Sequence, residues 1–117
     1  TVTNATNPLL GGCGTTTNAL SFGGSSSAVS NTTEKWNGTS WVTTSTLNQA
    51  RENAGCGTVT DALSIGGTTG AAVATTEKWN GTSWAITASL NVAKNALCGC
   101  GTVSDALSFG NDNATEK

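Results

Sequence analysis

Apolar residues along this chain fall in short clusters rather than stripes. Ala19-Leu20-Ser21-Phe22, Ala62-Leu63-Ser64-Ile65 and Ala106-Leu107-Ser108-Phe109 are such runs, each followed by glycine. A short apolar run closed by turn residues predicts a buried β-strand. Ahead of each lies a small, Gly-rich stretch, such as Gly11–Thr17, whose bare backbone allows close approach of a neighbouring strand. Downstream, Thr33-Glu34-Lys35-Trp36 and Thr76-Glu77-Lys78-Trp79 alternate and predict strands with one polar face. Asn37-Gly38 and Asn80-Gly81 follow. Asn-Gly is a strong hairpin signal, because both central positions of a type I′ turn need positive φ. Thr39–Thr44 and Trp84–Thr87 then return as fourth strands. No window holds apolar residues at sustained helical spacing, so no helix is predicted.

These elements recur with a fixed period. Thr32–Trp41 is repeated letter for letter at Thr75–Trp84. The block Cys13–Gly24 recurs as Cys56–Gly67 and as Cys100–Asn111, so its cysteines stand 43 and 44 residues apart. From Cys100 to Glu116 the third copy is five residues shorter than the second is from Cys56 to Glu77, and a length change at one place marks a surface loop. The chain divides into residues 1–10, the tail end of a preceding unit; 11–53 and 54–97, two units; and 98–117, the truncated start of a third. Pro8 aligns with Arg51, in a connection where a missing N–H costs little.

A period in the low forties fits a four-stranded propeller blade or a HEAT-type helical pair. Abundant Thr, Ser, Asn and Gly selects the first, since these residues suit pleated surfaces and turns and are poor inside helices. The fold class expected is all-β: propeller blades of four antiparallel strands, incomplete, with fewer than three units present.

Charge narrows the partners. The net charge is −2 and the pI about 4.7, with no Lys/Arg patch, so neither nucleic acid nor an anionic membrane surface is expected. No run of eighteen apolar residues is present to span a bilayer. There is no His and no Tyr, which removes the commonest general base and metal ligand. No catalytic, cofactor or metal residues are therefore expected. Glu34, Glu77 and Glu116 occur once per repeat, as structural residues do. Lys35, Lys78, Arg51 and Lys94 are their candidate partners, at little net energy if exposed.

Cys13, Cys56 and Cys100 share one repeat position, and Cys98 precedes Cys100 by two. Small buried side chains among glycines is the favoured reading. A disulfide between adjacent units is the sharper alternative, suited to an extracellular protein. Zinc ranks third, for want of ligand spacing and His. The sequons at Asn4, Asn31, Asn37, Asn80 and Asn113 are candidate N-glycosylation sites. Asn31 and Asn113 are the stronger ones, because Asn37 and Asn80 already have a turn to make. Trp36, Trp41, Trp79 and Trp84 are expected in the core, each pair meeting across its hairpin.

The apolar strand ending in Gly23-Gly24 or Gly66-Gly67, followed by Thr-Glu-Lys-Trp, a tight turn, a second Trp and Leu-Asn-x-Ala-Arg/Lys, resembles the kelch repeat. The resemblance covers nearly the whole chain. It departs in a shorter spacing between the aromatic residue and the Trp, and in Gly110-Asn111, which replaces Gly-Gly. The form Trp-Asn-Gly-Thr-Ser-Trp is similar to kelch-like repeats of phage tail and bacterial surface proteins. The resemblance implies a propeller of five to eight blades, completed by neighbouring blades of a longer chain or by identical copies. Kelch-type propellers include copper-radical oxidases such as galactose oxidase, whose site this sequence cannot supply.

The expectation is a non-enzymatic structural or adhesive module of a large extracellular or virion-surface, fibre-like protein. Its function would lie in the loops Ser25–Asn31, Thr68–Ala74 and Asn111–Asn113. One alternative is a glycan- or protein-binding propeller module. Another is the non-catalytic part of a propeller enzyme whose active site lies outside these residues.

Overall fold

The computed structural model describes residues 10–95, 98–109 and 115–116. They are all-β: no helix occurs among them, and none is therefore long and apolar enough to cross a membrane. The first sheet runs β1 (Gly11–Gly14), β2 (Ala19–Phe22), β3 (Thr33–Trp36) and β4 (Trp41–Thr44) in sequence order. The second repeats that order with β5 (Glu52–Gly57), β6 (Ala62–Thr68), β7 (Thr76–Trp79) and β8 (Trp84–Ile86). A third holds β9 (Cys98–Thr102), β10 (Asp105–Phe109) and β11 (Thr115–Glu116). Every pairing is antiparallel. The described sheets do not close into a ring.

Registers match between sheets. Cys13 pairs with Leu20 as Cys56 does with Leu63, and Trp36 pairs with Trp41 as Trp79 does with Trp84. The apolar runs become β2 and β6, the most buried strands of their sheets. β1 packs beside β5 and β5 beside β9, so the Gly-rich first strands form the line along which the sheets meet. Gly55 shows why these strands lack side chains: a Cβ there would run into the Phe22 ring. Glycine at 67 answers a second need, with φ +101° and the Glu52 carbonyl where a Cβ would stand.

The core lies between the first two sheets. Leu20, Phe22 and Leu47 from the first unit meet Ala62, Trp79 and Trp84 from the second. Phe22 meets Trp84 edge-on at a centroid distance of 4.8 Å, and Trp79 lies 5.4 Å from Trp84. Such aromatic pairs contribute about 0.5–1.5 kcal/mol beyond area burial. The Trp84 indole Nε1 donates to Thr33 Oγ1 at 3.0 Å, so its polar edge is satisfied inside the joint.

The hairpins differ from the two-residue type I′ turn that Asn-Gly predicts. Trp36 pairs with Trp41, which leaves a four-residue loop, Asn37-Gly38-Thr39-Ser40. Asn37 Oδ1 accepts from the backbone N–H of Thr39 and of Ser40, both at 2.9 Å. Asn80 does the same for Thr82 and Ser83. The side-chain oxygen satisfies the donors of a wider loop, in which Gly38 takes a positive φ of 95°. Asn80→Ala should therefore cost about 1 kcal/mol in urea unfolding. A variant indistinguishable from the parent would show that the cap contributes nothing.

Candidate functional site

The connector from the first sheet to the second, Leu47-Asn48-Gln49-Ala50-Arg51, carries the densest polar chemistry described. Leu47 is buried in the intersheet core. Its N–H donates to the Asn31 carbonyl, and the N–H of Arg51 donates to that of Ser30. These bonds fix the segment to the first sheet. Its side chains and two of its N–H groups bind the second.

Glu77, on β7, is the centre. Its side chain and that of Arg51 are both 0% exposed, with Arg51 Nη1 2.8 Å from Glu77 Oε1. Glu77 Oε1 also accepts from the Gln49 N–H at 3.0 Å. Oε2 accepts from the Asn48 N–H at 2.7 Å and from Asn48 Nδ2 at 2.9 Å. Asn48 Nδ2 reaches the Trp84 carbonyl as well, at 2.9 Å. Arg51 Nη2 donates to Ser64 Oγ at 2.9 Å and to the Ser64 carbonyl at 3.2 Å, on β6. Burial pulls the Arg51 guanidinium below its ordinary pKa, while the hydrogen bond and charge of Glu77 act against that fall. A carboxylate with four donors and no exposure is closed to a substrate. Its chemistry is that of a clasp: it orders a polar loop against a neighbouring sheet.

The sequence suggested Arg51 and Glu77 as partners but gave no sign that the pair is buried. Asn48, Gln49, Ser64 and Thr33 were not picked out. The recurring Leu-Asn-x-Ala-Arg/Lys at a fixed offset was the available signal. Lys94 stands where Arg51 does, is 0% exposed, and offers its carbonyl to Gly67 as Arg51 does to Gly24. Glu34, at Glu77's place on β3, is buried too.

Trp79 and Trp84 are buried, whereas Trp36 and Trp41 of the identical decapeptide are half-buried, 5.6 Å apart. Trp36 Nε1 donates to the Thr16 carbonyl and Trp79 Nε1 to that of Val59. Asn37 and Asn80 are exposed at the loop tips. Asn31 Nδ2 donates to the Leu47 carbonyl at 3.4 Å, so the amide a glycan would occupy lies against the connector. Asn4, Pro8, Asn113 and the loop Asn111–Asn113 lie outside the described residues.

All four cysteines are free: Cys56 buried, Cys13 half-buried, Cys98 and Cys100 exposed. Among the described residues no group of His, Cys, Asp or Glu is placed to hold a metal ion. Burial, then the neighbouring Cys56, pushes the Cys13 thiol up to about 11; burial and Cys100 push Cys56 up. A thiol whose folded pKa is raised contributes stability that is full below its unfolded pKa and lost as pH rises through the folded value. Unfolding free energy should therefore decline between about pH 9 and pH 11, and Cys13→Ala should flatten that decline. An unchanged slope in the variant would assign the loss to other groups. Alkylation followed by mass spectrometry should label Cys98 and Cys100 before Cys13 and Cys56.

A scan against protein-family models finds no match for this chain, and a search of curated proteins finds none.

Proposed function

We propose that this chain is a non-enzymatic structural or adhesive repeat module, a run of kelch-like propeller blades from a large extracellular or virion-surface, fibre-like protein. The observation that carries the reading is the use made of its polar side chains. The side chains of Asn48, Arg51 and Glu77, with the backbone N–H groups of Asn48 and Gln49, are consumed in joining one sheet to the next. The Trp84 indole, donating to Thr33, is spent the same way. Two sheets of equivalent register, each with its first strand along a common line, support the blade reading. The Trp-Asn-Gly-Thr-Ser-Trp form supports the placement on a virion or cell surface. Partners on this reading are neighbouring blades, of the same polypeptide or of identical copies.

In such a stack, units add stability in series until the array closes. Chains lengthened by tandem copies of residues 54–97 should unfold at higher urea midpoints with each unit added. Midpoints that stay constant would mean that the sheets are independent, and would sink the reading.

A second reading, a glycan-binding module, draws on the half-buried Trp36–Trp41 pair, an aromatic platform next to an exposed loop. Soluble oligosaccharides should then quench tryptophan fluorescence saturably, and Trp41→Ala should abolish the effect.

A further inference from the structure

Between the second and third sheets lies an open groove of about 210 Å³. Its apolar lining has a counterpart inside the molecule. Leu63, Ile65, Leu90 and Ala106 gather there as Leu20, Phe22, Leu47 and Ala62 gather between the first two sheets. Each stands one repeat after its counterpart in the sequence. The first joint also contains Trp79 and Trp84; the described residues of the second contain no tryptophan. Thr76, which lines the groove, is the counterpart of Thr33, the acceptor of the Trp84 indole N–H.

The strand edge tells the same story. β6 pairs with β7 from Ile65 to Ala62, and Ala62 lies opposite Trp79. The pairing of β10 with β11 covers Phe109 and Ser108. Ala106 is the counterpart, one repeat on, of Ala62, the residue that Trp79 faces in the second sheet. An enclosed apolar cavity of about 150 Å³ takes benzene, and this open groove is larger, at about 210 Å³.

We propose that this groove is a docking site for a β-hairpin bearing two tryptophans about an Asn-Gly loop. The first indole lies against Ala106. The second enters the groove, where its N–H donates to Thr76. This deepens the stacking reading and rests on it: the specificity of one unit for the next is placed in the two indoles. The occupant is a peptide of this chain's own hairpin chemistry, recognised by edge pairing and aromatic burial.

The test is a titration of the 117-residue chain with a peptide copying residues 78–88. Binding is followed by the backbone amide resonances of Leu63, Ile65, Thr76 and Ala106. Saturable shifts at these positions are expected. They should weaken at least about tenfold for the peptide carrying Trp84→Ala, and equally in the chain carrying Ala106→Lys. Circular dichroism and an unchanged intersheet tryptophan signal establish that this variant is folded. Absence of saturable binding at millimolar peptide overturns the proposal, as does equal binding by the Trp84→Ala peptide or by the Ala106→Lys chain. Failure here with rising midpoints in the lengthened chains removes the groove's assignment alone. Constant midpoints remove the stacking reading itself.

Discussion

Replacing Trp84 by alanine should cost about 3–5 kcal/mol of unfolding free energy, the range for emptying a buried aromatic site. The same change at Trp41 should cost a fraction of that. The two residues occupy equivalent places in identical decapeptides, so local propensity and hairpin geometry cancel in the comparison. What differs is cover. Trp84 is 5% exposed, packs edge-on against Phe22 and donates to Thr33 across the joint. Trp41 is half-buried, and its only ring contact described is Trp36. Domains of this size hold about 5–15 kcal/mol in total, so Trp84→Ala should remove a large share of it. Urea unfolding of the two variants decides the matter. Equal losses would mean that Trp84 contributes through its own hairpin, and that the intersheet contact adds little.

Arg51→Met should be the other severe change, at about 3–5 kcal/mol, because it leaves the Glu77 carboxylate buried without its counter-charge. Glu77→Leu should be at least as costly. It strands the guanidinium and also removes the acceptor of the Asn48 and Gln49 N–H groups. For that reason the double variant should not regain parental stability, although like-sized apolar replacements of isolated buried pairs often do. Exposed pairs weaken in salt; this one, with both side chains at 0%, should not. Denaturation of the single and double variants at low and high salt provides the check. A double variant matching the parent would show that the loop orders itself without the carboxylate.

The strand content of this fold was legible from short-range pattern. The apolar runs that become β2 and β6, the alternation in β3 and β7, and the glycine that follows each run all depend on near neighbours. The loop at Asn37 was misread because the rule for Asn-Gly considers φ and ψ alone. The side-chain oxygen competes for the same N–H groups and favours four residues over two. The burial of Arg51 and Glu77 could not be read, because 26 residues separate them and only the stacking of one sheet on another brings them together. Nor could the sequence distinguish Trp36 from Trp79, since the surrounding ten letters are the same and the difference lies in what stands opposite.

Each joint draws on two successive periods: Leu47 and Arg51 come from one, Glu77 and Trp84 from the next. The boundary between two periods therefore falls inside a joint, and the residues on either side of it recur at the same offsets in each unit. A duplication or loss of one whole period in the gene would hand every remaining unit a neighbour offering the same surfaces. On this architecture, overall length can drift by whole units during evolution at little cost to packing, while inserting or deleting a single residue within β7 would shift the register on which the fit depends.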